Sequence, residues 1–495
     1  MLITASKLYD YTQCPHRVWR DVYGPKEEKI KETNPFVQLL WDRGVLHEEK
    51  IIKDIGEFSD LSQGNLDERF RKTFQAMKGE TPLLYQGVLR KDNLLGIPDL
   101  IKRFPDGNYV PLDIKSGAGF EGMDEEGGEE GKPKKHYAVQ LCLYVDLLEQ
   151  LGFKHLNKGI IIDIHGDEVE YDLSRPAGKK MTSLWEYYEE VKGTVSRLIN
   201  DEERNKPSSG GKCKLCPWYT SCKKWVIESE DLTGLFYVGA SKRDVINADL
   251  GIQKITQILS LDTDQALRAK KKDKSFLKGV GKDTLEKIQK RAEVLIKKQK
   301  PVLYGHIDLP KVSYELFFDI ENDPTQEFVY LHGVYERSAN GSDYKNFLAA
   351  EISQEEERNA WKKFWDYIHS LPQDEYAVYY FSPHEKTTYR RMQKQYPKII
   401  SEEQLESFFS NPKVIDLYQL VFKNTDWPLS SYSIKDLATY LGFKWRDETP
   451  SGALSIQWFN QYLETKDEKD LKRILEYNED DCKAMMVLKD ALEKI

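Results

Sequence analysis

The pattern of apolar residues changes twice along the chain, and this change limits the fold more than any other feature. Residues 1–229 alternate between amphipathic helical stretches and short apolar runs such as LLGIPDLI. Residues 230–300 have helical periodicity throughout and are rich in lysine. Residues 301–495 return to alternating strands and helices, beginning with YELFFDIE. Because 495 residues exceed what one hydrophobic core supports, we predict an α/β multidomain protein with boundaries near residues 229 and 300.

Several classes of protein are disfavoured by what the sequence lacks. No stretch approaches the roughly 20 apolar residues that a membrane-spanning helix needs. The first residues, MLITASKLYD, have neither the basic start nor the apolar stretch of a secretory signal, so we expect a cytoplasmic protein without structural disulfides. No GxxxxGK[ST] phosphate loop occurs, which excludes a recognisable ATP motor. The residues between 120 and 135, rich in Gly, Glu and Lys, are expected to form a mobile loop.

The first group of candidate catalytic residues lies on two neighbouring strands. Asp99 ends one apolar run, and Asp113 and Lys115 follow on one face of the next. Carboxylates that converge from neighbouring strands can hold Mg²⁺ or Mn²⁺, since hard cations prefer oxygen ligands. Lys115 would then favour a deprotonated nucleophile and screen phosphate oxygens. Taken alone, the pattern is also compatible with ordinary surface charges at strand ends.

Two further motifs give this group a family resemblance. Gly44 and His47 lie on a helix before the strands, and Gln140 and Tyr144 lie one helical turn apart after them. The set GxxH, GxPD, DxK and QxxxY resembles the RecB-like branch of the PD-(D/E)XK nucleases, including its CRISPR-associated members. The resemblance implies metal ligands, a catalytic lysine and a pair that contacts DNA or braces the site, here His47, Asp99, Asp113, Lys115, Gln140 and Tyr144. A structural histidine is the alternative interpretation of His47.

Four of the six cysteines form a second pattern. Cys142 and Cys482 lie in apolar helices, where buried thiols are ordinary. The others are one distant cysteine and a compact trio that bracket the predicted nuclease core, namely Cys14, Cys213, Cys216 and Cys222. This set resembles the iron–sulfur subgroup of RecB-like nucleases, which implies that four thiolates hold a [4Fe-4S] cluster. A Cys₄ zinc site satisfies the same count and stays the alternative.

The basic middle segment contains a candidate DNA-binding motif. Residues 276–292 read FLKGVGKDTLEKIQKRA, in which a Gly-Val-Gly turn separates two helical stretches. Such a turn exposes backbone amides to a phosphate, and Lys278 and Lys282 add positive charge. The stretch resembles a helix-hairpin-helix, which implies binding to the DNA backbone without sequence preference, and LGIQKITQIL is a weaker version of it. A plain helical connector is the alternative.

The second group of carboxylates lies near the two ends of the last segment. Asp319 and Glu321 share one face of a strand, and Tyr477 and Asp481 lie one turn apart on the final helix. DxE followed by YxxxD resembles the DEDD 3'-5' exonucleases of the RNase H-like fold. The resemblance implies that the three acids bind metal and that Tyr477 orients the attacking water. The middle acidic motif of that family is altered here.

The altered motif leaves the fourth ligand to be chosen. After the apolar run EYAVYYF comes Ser-Pro-His-Glu385, so we expect Glu385 to be the fourth ligand, with Asp416 as its substitute. Because the motif departs from the family, a domain that binds nucleic acid without cleaving it is the alternative.

Together these patterns predict three segments. They are a restriction-endonuclease-like PD-(D/E)XK core with an iron–sulfur cluster at residues 1–229, a helix-hairpin-helix linker at 230–300 and an RNase H-like DEDD exonuclease domain at 301–495. The predicted function is a Mg²⁺- or Mn²⁺-dependent DNA exonuclease that acts on single-stranded or end-containing DNA in repair, recombination or defence. A helicase or another repair or defence protein would act in trans, and no membrane is involved. The alternatives are a binding protein with one or both sites inactive, and a nuclease acting on RNA.

Overall fold

A computed structural model describes most of the chain, namely residues 1–30, 35–121, 131–176 and 181–495. The chain divides into two compact units. The first comprises Met1–Pro207 and Gly211–Cys222, and the second comprises Ser208–Gly210 and Lys223–Ile495. No helix in the described ranges combines the length and the apolar character needed to cross a bilayer.

The first unit is a mixed α/β structure. Its strands are β1 (Ile3–Thr4), β2 (Ser59–Asp60), β3 (Leu83–Tyr85), β4 (Leu89–Lys91), β5 (Leu94–Gly96), β6 (Leu100–Arg103), β7 (Tyr109–Ile114), β8 (Phe120–Glu121), β9 (Lys132–Pro133), β10 (Lys158–Ile162) and β11 (Glu168–Asp172). Its helices are α1 (Ala5–Gln13), α2 (Pro15–Tyr23), α3 (Pro35–Asp54), α4 (Leu66–Lys78), α5 (Lys135–Gln150) and α6 (Leu184–Ile199), and α7 (Tyr219–Glu228) follows. The predicted loop has paired ends, β8 and β9, and residues 122–130 between them lie outside the described part.

A six-stranded sheet organises the first unit, in the order β11-β10-β7-β6-β3-β2. All six residues of β7 are buried, which explains why this strand is a continuous apolar run apart from its carboxylate. Helix α5 is buried from Ala138 to Leu148 and packs against β7 and β10. A helix that is apolar on all sides has to lie inside the core, as α5 does.

Two local features set how the surrounding elements begin and pack. Helices α4 and α6 both start with a reciprocal capping box, Asn65 with Glu68 and Ser183 with Glu186. At Gly96, a Cβ atom would lie 2.7 Å from Cδ1 of Tyr144. The last residue of β5 therefore has to be glycine for α5 to pack there.

The second unit begins with helices and continues with a sheet. Its helices are α8 (Ala240–Leu250), α9 (Ile255–Ile258), α10 (Thr263–Lys272), α11 (Lys282–Glu293), α12 (Gln354–Ser370), α13 (His384–Gln395), α14 (Glu402–Ser410), α15 (Leu417–Asn424), α16 (Ile434–Tyr440), α17 (Gly452–Thr465) and α18 (Glu468–Leu492). Its strands are β12 (Val302–Leu303), β13 (Tyr314–Asp323), β14 (Phe328–Ser338), β15 (Gly341–Leu348), β16 (Tyr376–Tyr380), β17 (Val414–Asp416) and β18 (Thr425–Asp426).

The helical segment contains two helix-turn-helix pairs with matching turns. Gly251 follows α8 with φ +68°, and Gly279 precedes α11 with φ +77°. The Nζ of Lys270 donates to the carbonyl oxygen of Val280 at 2.8 Å, which ties α10 to the second turn. Both pairs share one apolar cluster, which includes Ile246, Ile255, Ala266, Val280 and Leu285. The structure therefore has the predicted hairpin and also its weaker version.

The helical segment is fastened to the sheet region by a buried ion pair. The guanidinium of Arg291 donates to a carboxylate oxygen of Asp426 at 2.9 Å, and both side chains are 2% exposed. Because breaking a buried pair leaves an uncompensated charge, this contact strongly favours one arrangement. The helical and sheet segments belong to one compact unit, and the proposed domain boundaries at 229 and 300 stay a prediction.

A five-stranded sheet in the order β15-β14-β13-β16-β17 forms the centre of the second unit. Strand β13 runs antiparallel to β14 and parallel to β16. Its residues alternate between two cores, with Leu316 and Phe318 in one and Phe317 in the other. Asp319 and Glu321 share the parity of Phe317, whose core includes Met485 of α18. This alternation turns both carboxylates towards the final helix.

Candidate active sites

The first site consists of Asp99, Asp113 and Lys115, which the fold brings together as predicted. Leu100 of β6 pairs with Leu112 of β7, so the preceding Asp99 lies next to Asp113. The backbone nitrogen of Ile114 donates to Oδ2 of Asp99 at 2.8 Å. The Nζ of Lys115 lies 2.8 Å from Oδ2 of Asp113. Two carboxylates and one ammonium group therefore meet at the end of a buried strand.

The charged groups of the first site shift one another's pKa values. Burial, and then the neighbouring charge of Asp113, raise the pKa of Asp99 to about 7. Burial alone would lower the pKa of Lys115, but the carboxylates of Asp113 and Asp99 outweigh it and raise this pKa above its ordinary value. Lys115 is consequently held as a cation, which is the form able to screen a phosphate oxygen.

Glu48 and Gln86 also belong to the first site, although sequence reasoning did not select them. The Nε2 of Gln86 donates to Glu48 at 3.0 Å and to Asp99 at 3.1 Å. The hydroxyl of Tyr85 donates to the same oxygen of Glu48 at 2.9 Å. Glu48 directly follows His47 in the sequence, a signal that could have identified it, whereas Gln86 has no comparable motif.

His47 lies beside the strand next to β7. Its Nε2 donates to the carbonyl oxygen of Asp163 at 2.9 Å, just after the end of β10. Strand β10 runs parallel to β7 and pairs Ile161 with Asp113. A metal ion at His47 would therefore bind through Nδ1. Among the residues that the structure describes, His47 is not part of a compact group of three metal-binding side chains.

Gln140 and Tyr144 lie on α5 and are buried, with 8% and 3% of their surfaces exposed. The hydroxyl of Tyr144 hydrogen-bonds to Asp113, and burial and the nearby carboxylates raise the pKa of Tyr144 well above its ordinary value. The side-chain amide of Gln140 donates to the carbonyl oxygen of His136 at 2.9 Å. This geometry favours bracing of the site over direct contact with a nucleic acid.

The four candidate cluster ligands are half-buried cysteines, Cys14, Cys213, Cys216 and Cys222. Burial raises the pKa of Cys222 to about 12 despite the opposing charge of Arg20, and the other three thiols act on it electrostatically. In the described ranges, no three cysteines meet within 4.8 Å. A tetrahedral zinc site with bonds of about 2.3 Å holds its sulfurs about 3.8 Å apart. The four thiols share one neighbourhood, and their donor set suits either an iron–sulfur cluster or zinc.

The second site consists of Asp319, Glu321 and Asp481, as predicted. One ligand oxygen from each of the three lies within 4.8 Å of the others. The Nδ2 of Asn478 donates to Asp319 at 2.9 Å and to Glu321 at 3.3 Å. Asn478 was missed by sequence reasoning although it lies between the predicted Tyr477 and Asp481. Three converging carboxylate oxygens form a ligand set suited to a hard divalent cation.

Gly333 of β14 makes room for this asparagine. A Cβ atom at position 333 would lie 1.6 Å from Oδ1 of Asn478. The same oxygen accepts a hydrogen bond of 2.8 Å from the hydroxyl of Tyr344. The amide of Asn478 is thus oriented from both ends.

Burial and mutual repulsion dominate the electrostatics of the second site. The pKa of Asp319 is raised well above its ordinary value by burial, then by Asp481, Glu321 and Glu385. Burial and Asp481 raise the pKa of Glu321 to about 8. A bound divalent cation would relieve this repulsion, so the residues present fit such a group.

Tyr477 and Trp445 contact Asp481, and Lys435 contacts Tyr477. The hydroxyl of Tyr477 hydrogen-bonds to Asp481. The Nε1 of Trp445 donates to Oδ1 of Asp481 at 2.7 Å. The Nζ of Lys435 donates to the hydroxyl oxygen of Tyr477 at 3.0 Å. Sequence reasoning did not select Trp445 or Lys435, because neither lies in a spaced acidic motif.

The two candidates for the fourth ligand differ in their surroundings. Glu385 is 3% exposed in the first turn of α13 and acts electrostatically on Asp319, but it lies outside the compact group of three. Asp416 accepts hydrogen bonds from the backbone nitrogens of Gln419 at 3.1 Å and Ser382 at 3.2 Å, as the cap of α15. Asp416 thus caps α15, and Glu385 is the better candidate for the fourth ligand.

The predicted phosphate-binding lysines lie at the second hairpin. Lys278 and Lys282 are both exposed next to Gly279. Lys282 lies 3.7 Å from Glu286 in an exposed ion pair, a contact that is weak in water. Both ammonium groups are thus accessible to solvent.

Two family models match the chain. Residues 13–223 match the PD-(D/E)XK nuclease superfamily, and residues 316–493 match the RNase_H superfamily. No curated protein and no solved structure matches. The two matches confirm the predicted fold class and the predicted fusion, and both superfamilies consist of phosphodiester hydrolases.

Proposed function

We propose that this protein, which joins a PD-(D/E)XK nuclease domain to an RNase H-like domain, is a DNA exonuclease with two metal-dependent active sites. Its substrate would be single-stranded or end-containing DNA in repair, recombination or defence. The observation that carries the proposal is that Asp319, Glu321 and Asp481 converge within 4.8 Å in the second domain. The first domain supports it with its own set of buried carboxylates and a lysine.

In the first site, we assign metal ligation to His47, Asp99 and Asp113. When bound, Mg²⁺ or Mn²⁺ would supply a water of lowered pKa and neutralise charge on the phosphate. Lys115, held as a cation by Asp113, would stabilise the negative charge that develops on the phosphate oxygens. Tyr144 would brace Asp113 through its hydroxyl, and Gln140 would support the same helix face, with DNA contact by the pair as the alternative.

In the second site, we assign metal ligation to Asp319, Glu321, Asp481 and Glu385. Asn478 would keep the first two carboxylates in register by donating to both. Tyr477, whose hydroxyl hydrogen-bonds to Asp481, would orient the attacking water. The exposed Lys278 and Lys282 would attract the DNA backbone to the hairpin through their positive charge.

We further propose that Cys14, Cys213, Cys216 and Cys222 hold a [4Fe-4S] cluster. One distant cysteine and a compact trio, the pattern that resembles the iron–sulfur subgroup of RecB-like nucleases, support iron–sulfur over zinc. Anaerobically purified protein should be brown and contain iron and sulfide, and Cys213→Ser should remove the colour. Cys142→Ala, a buried thiol away from the four, is the matched control. A colourless protein with stoichiometric zinc would contradict the cluster.

The central experiment assigns activity to each domain. End-labelled single-stranded DNA, closed circular single-stranded DNA and RNA are incubated with Mn²⁺ or Mg²⁺. The wild-type protein is compared with Lys115→Ala, Asp319→Ala and the double variant. We expect the wild-type protein to degrade linear but not circular DNA. Each single variant should lose part of this activity, and the double variant should lose all of it. Intact substrates with wild-type protein would sink the proposal, and cleavage of RNA alone would change the substrate.

The proposed location is the cytoplasm. DNA ends there could be delivered by a helicase or another repair or defence protein in trans, since the sequence has no phosphate loop of its own. Adding a helicase and ATP to double-stranded DNA should then convert it into a substrate.

A further inference from the structure

We infer that Lys435 is a positioning residue of the second site, which sets the direction of the Tyr477 hydroxyl. The inference rests on the proposed function of that site, and it adds a residue that none of the recognised motifs contains. Lys435 lies in the first turn of α16, in a part of the chain that contributes no carboxylate to the site.

The hydrogen bonds around Lys435 have a fixed direction. Its Nζ donates to the hydroxyl oxygen of Tyr477 at 3.0 Å and to the carbonyl oxygen of Pro450 at 2.7 Å. An ammonium group is a donor and never an acceptor, so the Tyr477 oxygen has to accept from Lys435. The hydroxyl proton of Tyr477 is then left to point at Asp481, to which it hydrogen-bonds. Lys435 therefore determines which way this hydroxyl donates.

Lys435 also supplies positive charge to the carboxylates. Its ammonium opposes the effects of burial and repulsion on the pKa values of Asp319, Glu321 and Asp481. The same ammonium lies 4.8 Å from the centre of the Tyr477 ring, so it faces the tyrosine rather than the bulk solvent. The ammonium therefore contacts Tyr477 and also acts on the three carboxylates through its charge.

The partners of Lys435 are held by neighbouring contacts. Trp445 donates to Asp481 at 2.7 Å, which fixes the carboxylate that receives the tyrosine proton. Arg446 donates to Asp480 at 3.0 Å and thereby ties the same segment to α18. Asp481 and the segment that carries Trp445 are thus held in place. Loss of Lys435 would therefore free only the rotation of the Tyr477 hydroxyl.

A purely structural function of Lys435 is the competing explanation. In that case Lys435 would serve to attach the segment around Pro450 to α16. Its removal would lower stability and the amount of folded protein, and the effects of Lys435 and Tyr477 substitutions on turnover would be independent. If Lys435 instead acts by orienting Tyr477, the effects of the two substitutions on turnover should overlap, because both disable the same hydroxyl.

The test uses the full chain in a Lys115→Ala background, so that the second site is measured alone. Four variants are added to it, namely Lys435→Met, Lys435→Arg, Tyr477→Phe and Lys435→Met with Tyr477→Phe. We expect Lys435→Met to lower kcat about 10- to 100-fold, since misorientation of a catalytic group has effects of this order. KM should stay within about threefold, because the group does not add uniform substrate binding. Lys435→Arg should restore part of kcat.

The double variant decides between the two explanations. If Lys435 acts through Tyr477, the double variant should turn over within about threefold of Tyr477→Phe. Multiplied effects, an effect on KM alone or an unchanged kcat in Lys435→Met would each overturn the inference. Lys444→Met, which removes an exposed lysine of the same segment, is the control for charge and should leave kcat unchanged.

Two further measurements keep the outcome unambiguous. Mn²⁺ binding and thermal unfolding of each variant show whether a lower kcat comes from a lost metal site or from unfolding. If Lys435→Met does not fold, Lys435→Gln is used in its place in the same cycle. Asp319→Asn tests the proposed function separately. If this variant retains the activity of the second site, the proposed function fails. If it loses that activity while Lys435→Met keeps wild-type turnover, only the inference on Lys435 is overturned.

Discussion

The two candidate sites balance their charges in different ways. In the first site the cation is part of the group, since Lys115 lies 2.8 Å from Asp113. In the second site three carboxylate oxygens converge within 4.8 Å, and the ammonium of Lys435 contacts the hydroxyl of Tyr477. The first site therefore contains its own partial counter-charge, whereas the compact group of the second site consists of carboxylates alone. The two domains thus place their lysine differently relative to the candidate ligand oxygens.

The sites also differ in how the chain assembles them. The acidic pair and lysine of the first site come from one pair of adjacent strands. The second site joins β13 to α18, and its Asn478 and Asp319 are 159 positions apart. A site built from adjacent strands forms with its sheet, whereas one built from distant elements depends on the packing of the whole domain.

The largest difference should appear when an acidic ligand of the second site is removed. In the Lys115→Ala background, Asp319→Ala should lower the remaining activity by about three orders of magnitude, as for loss of a group that acts as part of a catalytic unit. The rate of cleavage of end-labelled DNA measures it. Asp343→Asn, an exposed acid on β15, should leave the rate unchanged. Equal rates for the two variants would show that the carboxylate cluster is not catalytic.

The lysine of the first site should have a somewhat smaller effect. In the Asp319→Ala background, Lys115→Ala should lower kcat by about 10²- to 10³-fold, the usual effect of losing a charge-stabilising group. Lys115→Arg should not restore it, since a planar guanidinium does not replace a compact ammonium beside Asp113. Exposed Lys91, replaced by alanine, is the control. Full rescue by arginine would indicate that charge alone is required.

Gln86, which links Glu48 to Asp99, allows a test of the residues that surround the first site. Gln86→Ala removes the amide that donates to both carboxylates. We expect about 10- to 100-fold more Mn²⁺ to be needed for half-maximal activity, because outer partners tune metal affinity by this much. Gln63→Ala, an exposed glutamine, serves as the control. An unchanged Mn²⁺ dependence would remove Glu48 and Gln86 from the site.

The smallest effects should be on stability without metal, where the two sites should respond with opposite signs. Asp319→Asn should stabilise the protein by about 1 kcal/mol, because it relieves repulsion among buried carboxylates. Asp113→Asn should destabilise it by about 1 to 3 kcal/mol, because it leaves Lys115 without its partner. Calorimetry in the presence of a chelator measures both. Shifts of the same sign would contradict the contrast between the sites.

The residues that sequence reasoning could predict are those whose signal is local. Asp113 with Lys115, Asp319 with Glu321, and Tyr477 with Asp481 are two or four positions apart, so strand or helix periodicity puts each pair on one face. The order of strands and helices predicted mixed α/β segments, and the resemblance of the spaced motifs to two nuclease families predicted both folds. The choice of Glu385 over Asp416 as the proposed fourth ligand was harder, because the motif there departs from the family; in the structure Glu385 acts electrostatically on Asp319.

The residues that could not be predicted owe their place to contacts far along the chain. Gln86 reaches Glu48 across 38 positions, and Lys435 reaches Tyr477 across 42. Neither a lone glutamine nor a lone lysine differs in sequence from the many that face solvent. Such outer partners follow from the assembled fold, so a motif search finds the ligands and misses the groups that orient them.

Gly333 shows that an acidic motif is an incomplete record of a working site. One added methyl group on β14 would displace Asn478, and the amide shared by Asp319 and Glu321 would go with it. A descendant of this chain could in this way keep all of its carboxylates and still be inert. When related chains are sorted into active and inactive, the residue that has no side chain should therefore be inspected together with the residues that carry charge.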